Sequence, residues 1–93
     1  MSDSIIVIPT FNEKENVENM IRKIMSFEKA FDVLIVDDSS PDGTAEIVST
    51  LQQEFQGRIY LEVRKGKLGL GTAYIHGFKW AIDKKYDYIF EMD

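Results

Sequence analysis

The stretch Val33-Leu34-Ile35-Val36-Asp37-Asp38-Ser39-Ser40-Pro41-Asp42-Gly43 decides the fold. Four aliphatic residues in a row, without polar alternation, predict a strand buried on both faces. Ser39 to Gly43 then predict a turn, because Pro, Asp and Gly each favour a reversal of the chain. Beyond it Ile47, Val48, Leu51 and Phe55 recur at three- and four-residue steps, the mark of one helical face, and Asp42 is the expected cap.

The same strand–turn–helix unit stands on either side. Upstream, Ser4 to Ile8 is a second buried-type run, expected to close at Pro9. After the turn Thr10-Phe11-Asn12, the residues Val17, Met20, Ile21 and Ile24 mark a helix, with Asn12 and Glu15 spaced for a capping box. Downstream, Arg58 to Arg64 alternates Ile59, Leu61 and Val63 with Arg58, Tyr60, Glu62 and Arg64. That pattern predicts a strand near a sheet edge, one face buried and the other partly wet. A glycine-rich turn, Lys65 to Gly71, leads into a helix through Ala73, Tyr74, Phe78, Ala81 and Ile82, and a last strand is expected at Tyr86 to Met92.

Strand and helix therefore alternate, and right-handed crossovers place the helices over a parallel sheet. The expected fold is α/β and Rossmann-like, with strand order 3-2-1-4. Residues 1–93 form one unit. The chain halts at Asp93 directly after a buried-type strand, so we expect the front part of a longer domain, with an uncovered face that favours self-association.

Composition narrows the partners. Eleven basic against sixteen acidic residues give a net charge of -5, which disfavours nucleic acid as a ligand. Without cysteine there is no disulfide, zinc ribbon or thiol nucleophile, as suits a cytosolic chain. The first residues lack the basic start of a secretory signal, and no apolar run approaches the roughly 20 residues that span a bilayer.

In a parallel α/β sheet, ligands bind at the carboxyl ends of the strands, near the point where strand order reverses. There the sequence puts Pro9 to Glu13, the pair Asp37-Asp38, the glycine-rich turn and Asp93. Adjacent side chains on a strand point to opposite faces, so the two acids of the pair have different jobs and at most one faces the crevice. A carboxylate there can accept from the N–H and amino groups of a nucleobase, or both acids can be turn and cap residues. Glu13 is either a ligand contact or an ordinary helix-start acid. The spacing of Gly66, Gly69 and Gly71 matches neither the Rossmann fingerprint nor the P-loop, and Lys65 and Lys67 read as solvated cations or as anion contacts. His76, with no second histidine in the chain, reads as a packed or half-exposed imidazole, and Tyr74, Phe78 and Trp80 as packing.

Taken in order, IPTFNEKENV (8–17), IVDDSSPDGTAEIV (35–48), RKGKLGLGTAYIHGF (64–78) and IFEMD (89–93) resemble the family-2 glycosyltransferases of the GT-A fold, in particular their polyprenyl- and dolichyl-phosphate mannose synthase branch. The resemblance covers nearly the whole chain. It implies that Pro9, Phe11, Glu13, Val36 and Asp38 hold the nucleotide of a sugar donor. It further implies that Asp93 is the first acid of an Asp-x-Asp motif, which binds Mg2+ or Mn2+ and the donor diphosphate. Phe11 departs from the family, where many relatives carry tyrosine; the ring is kept and the hydroxyl lost. The implied reaction moves mannose from GDP-mannose to a polyprenyl or dolichyl phosphate, with inversion. The expected setting is cytoplasmic, at the inner membrane face for a full-length protein whose further segments would make the membrane contact. Because the second metal acid is missing, the 93 residues alone are expected to be inactive. Two other readings stay open at this point, a non-catalytic nucleotide-binding half-domain and a relative that uses UDP-sugars. A receiver-type phosphoacceptor fits poorly, since its acids would follow the first and third strands rather than the second and fourth.

Overall fold

The computed structural model describes residues 2–66 and 69–92. Four strands and three helices alternate: β1 (Ser4–Thr10), α1 (Val17–Met25), β2 (Asp32–Asp37), α2 (Thr44–Glu54), β3 (Ile59–Val63), α3 (Leu70–Asp83) and β4 (Tyr88–Glu91). All strand pairs are parallel, as expected from the alternation, and the order is β3-β2-β1-β4, the one assumed for the sequence. The order reverses beside β1, where β2 leaves on one side and β4 on the other.

Both central strands are covered on both faces, which is why their sequences show no polar alternation. One face meets α1 and α2: Ile6, Ile8, Val33 and Ile35 pack on Val17, Ile21, Ile24, Val48 and Leu51. The opposite face meets α3, where Ile5, Val7, Leu34 and Val36 pack on Ala73 and Ala81. Small residues on α3 let it lie close to the sheet. At Gly77 the approach leaves no room for a side chain: a Cβ would fall 2.4 Å from Val7 Cγ1.

Several elements differ from the sequence-based expectation. β1 runs through Pro9 to Thr10 instead of closing at Pro9. Strand alternation explains why proline is tolerated. Thr10 O accepts from Asp38 N on the β2 side and Val7 O from Met92 N on the β4 side, so the N–H that Pro9 lacks belongs to the β4 side. There the paired register ends at Val7–Glu91, and the missing donor breaks no bond of that ladder. No capping box forms between Asn12 and Glu15. Asn12 adopts a left-handed conformation (φ 55°), and α1 begins only at Val17, after a turn in which Asn16 N and Val17 N donate to Glu13 O.

At the start of α2 the N-cap position belongs to Gly43, whose φ of 97° favours glycine. Asp42 still does part of the expected work, accepting from Thr44 N (3.1 Å) and Thr44 Oγ1 (2.6 Å). Val63 and Ile82, expected to be buried, are exposed because they fall at the fraying end of an edge strand and on the outer side of α3. β4 is shorter than expected, with Tyr88 and Phe90 exposed. Among the described residues no helix covers them; Phe90 instead meets Phe31 edge-on, at 5.6 Å between ring centroids. Tyr86 lies before the strand, buried, and its hydroxyl donates to Asp32 Oδ2 at 2.6 Å. Burial, then this bond, push the phenol well above the usual tyrosine value.

Candidate functional site

The loops after β1 and β2 are held together by side chains of the second gripping the backbone of the first. Asn12 N donates to Ser40 Oγ (2.8 Å), Glu13 N to Thr44 Oγ1 (3.1 Å) and Lys14 N to Asp42 Oδ2 (3.2 Å). These donors would otherwise lack protein partners, so the turn-rich Ser39 to Thr44 segment serves as a template for the β1–α1 loop. The Thr44 hydroxyl, aided by the backbone of Lys14 and Thr44, holds the Asp42 carboxyl below the usual carboxylate range. Asn12 and Ser39, at the carboxyl ends of the two strands, both have positive φ, a strained backbone of the kind that clusters at binding sites.

The paired acids divide their work as strand geometry requires. Asp37 is fully buried and accepts from Thr10 Oγ1 (2.7 Å), Ser40 N (2.9 Å) and Ser40 Oγ (2.6 Å), which locks the two loops to the sheet. Asp38 turns the other way into a buried ion pair with Arg64: Nε donates to Oδ1 at 2.7 Å and Nη2 to Oδ2 at 2.9 Å. Each of these side chains is only 8% exposed.

Asp38 lines a pocket of about 300 Å³ together with Pro9, Thr10, Phe11, Glu13, Met20, Gly69, Leu70 and Ala73. It lies at the carboxyl ends of β1 and β2 and at the start of α3, and its volume sits at the lower end of the range for small-molecule sites. Four of the six anticipated residues, Pro9, Phe11, Glu13 and Asp38, thus meet in one cavity. Val36 does not line it; it pairs with Pro9 across the sheet and packs in the core under α3. Asp93 lies outside the described residues, as does Lys67 of the glycine-rich turn. The described residues contain no group of three or more His, Cys, Asp or Glu that could hold a metal. None of their helices is long and apolar enough to cross a membrane.

Arg64, whose partnership matters most, stands in the sequence only as part of the wet face of β3. Its signal was present in the parallel register. Asp37 pairs with Val63, so the residues after each, Asp38 and Arg64, leave the sheet side by side. His76 is half-exposed, 3.1 Å from Glu62 Oε1, in a shallow groove with Lys79, Trp80 and Asp83.

The model of glycosyl transferase family 2 matches residues 5–93. The chain belongs to this family. It is 36% identical over 90 residues to the polyprenol monophosphomannose synthase of Mycolicibacterium smegmatis, covering 97% of this chain and 34% of that protein. It is 39% identical over 89 residues to the undecaprenyl-phosphate mannosyltransferase of Micrococcus luteus, covering 96% of this chain and 36% of that protein. The chain thus spans about a third of the length of these relatives. Its fold matches a mannosyltransferase from Pyrobaculum calidifontis solved in complex with GDP-Man and Mn2+, with a TM-score of 0.80, at 22% identity and over 85% of this chain and 24% of the other. The match supports the GT-A, Rossmann-like reading of the fold.

Proposed function

We propose that this chain is the nucleotide-binding part of a glycosyltransferase that moves mannose from GDP-mannose to a polyprenyl or dolichyl phosphate, with inversion at the anomeric carbon. The observation that carries the reading is Asp38, an acid at the carboxyl end of β2, lining a pocket at the carboxyl ends of β1 and β2 in a family-2 fold. The names of the two relatives support the mannosyl donor and the polyprenyl phosphate acceptor.

In this reading the Asp38 carboxylate accepts from the base, whose guanine edge offers two adjacent donors. Phe11 packs against the nucleoside and Glu13, on the loop gripped by Thr44, meets its polar groups. Pro9 and Val36 shape the floor, the first at the pocket wall and the second from the core beneath. Asp93, a hard oxygen donor following Met92, would hold Mg2+ or Mn2+ with the donor phosphates. Bound there, such a cation would supply neutralisation of the charge that develops on the leaving diphosphate. An oxygen of the acceptor phosphate, already anionic, attacks the anomeric carbon as the bond to GDP breaks, so no strong base is required of the chain. A polyprenyl phosphate acceptor implies a membrane surface, in this reading the cytoplasmic face, with lipid contacts made by the further length that the relatives have. The open Tyr88 and Phe90 face supports self-association of the 93 residues alone.

The test is transfer of labelled mannose from GDP-mannose to a polyprenyl phosphate by the full reading frame with Mg2+ or Mn2+. Turnover by the full protein and none by residues 1–93 is the expected result. Transfer from a UDP-sugar instead would move the protein to another branch of the family.

A further inference from the structure

We propose that Arg64 is a specificity-determining positioning residue: it fixes the plane of the Asp38 carboxylate, and thereby the preference for guanine over bases with a different donor edge. This rests on the reading of Asp38 as the base acceptor. Arg64 itself does not line the pocket, so it acts through the lining residues it bonds, Asp38 foremost and Gly69 beside it.

The guanidinium is held from two sides, the β2 exit and the start of α3. Besides the two bonds to Asp38, Nη1 donates to Thr72 Oγ1 at 3.0 Å and Nη2 to Gly69 O at 3.2 Å, both at the start of α3. Its backbone is tied to the β2 exit, with Arg64 N donating to Asp37 O at 2.7 Å and Arg64 O accepting from Ser39 Oγ. All three side-chain nitrogens are engaged, and the planar fork is therefore set before any ligand arrives. Two parallel N–H bonds force the carboxylate into the plane of the fork.

A base edge is also planar. An acceptor whose plane is set in advance rewards one arrangement of donors, whereas one that rotates adapts to several. A carboxylate has about four acceptor positions, more than a two-bond fork uses, so pairing with Arg64 does not by itself exclude a ligand donor. A lysine at this position would keep the charge but supply a point donor in place of the fork, and the carboxylate plane would be released.

The experiment titrates the 93-residue chain and its Arg64→Lys variant with GDP and with IDP, whose base lacks the exocyclic amino group. The expected wild-type preference for GDP is about tenfold, the effect of one hydrogen bond to a charged group. Arg64→Lys should bring the ratio close to one, mainly by weakening GDP. Thr72→Val removes one anchor of the fork at an exposed position and should shift the ratio the same way; it decides the matter if the lysine variant does not fold. Equal weakening of GDP and IDP, with the ratio intact, would overturn the proposal and leave Arg64 a structural partner. A different failure, no preference in the wild type and no effect of Asp38→Asn on either nucleotide, would instead remove the base reading of Asp38.

Discussion

Replacing Gly77 by alanine tests the close packing of α3 on the sheet. The new Cβ would lie 2.4 Å from Val7 Cγ1 and 3.4 Å from Val7 Cβ and Cγ2, where carbon atoms rest at about 3.5 to 4.0 Å. Val7 is fully buried and β-branched, so it has little rotamer freedom with which to give way. The helix must therefore move outward by about 1 Å, at an overpacking cost of about 1 to 3 kcal/mol. Against this, alanine gains about 1 kcal/mol in helix propensity over glycine. The clash should win by about 1 kcal/mol, a fall in Tm of about 4 to 8 °C for a domain of this size. Because the same helix carries Leu70 and Ala73 of the pocket, GDP affinity should fall as well. Thermal unfolding followed by circular dichroism measures the first effect and calorimetry the second. An unchanged or higher Tm for Gly77→Ala would show that α3 relaxes freely and that close packing on Val7 does not position the pocket.

Asp38→Asn should weaken GDP binding by about 1 to 3 kcal/mol in calorimetry at a temperature where the variant is folded, while Asp37→Asn should act on the melting temperature first; equal loss of affinity per folded molecule would refute the division of labour. Below the usual tyrosine value of about 10 the neutral Tyr86 phenol contributes its full stability, and above it the unfolded chain ionises first, so stability should fall with rising pH. Tyr86→Phe should reduce that alkaline loss in denaturant titrations, and at neutral pH should cost about 1 to 3 kcal/mol because Asp32 loses a donor. Asp42 is the acid-side counterpart: its depressed carboxyl contributes above the usual aspartate value and loses that contribution as pH falls through the lowered one, so Asp42→Asn should flatten the acid limb of the same titration.

The topology was legible because it is written locally. Uninterrupted Ile5 to Ile8 and Val33 to Val36 permit little but buried parallel strands, and three helical periodicities between four strands leave few arrangements. The division between Asp37 and Asp38 was legible for the same reason, since alternation along a strand is a local rule. What escaped depends on neighbours far along the chain. Arg64 meets Asp38 across 26 positions, and the side chains that hold the loop of Asn12 to Lys14 come from Ser40, Asp42 and Thr44. Once Ser40 had taken the Asn12 N–H and φ there had turned positive, the capping box had no geometry in which to form. The role of Gly77 likewise depends on Val7, 70 positions away in the chain and beneath it in the fold.

The central claim is that the pocket at the ends of β1 and β2 is the nucleotide site. Its most direct test needs no mutation: titrate the isotope-labelled chain with GDP and follow the backbone amide resonances. Shifts should concentrate at Phe11, Glu13, Asp38, Arg64 and Leu70, saturating with one common affinity. Shifts confined to the groove of Glu62, His76 and Trp80, or none at millimolar GDP, would contradict the account.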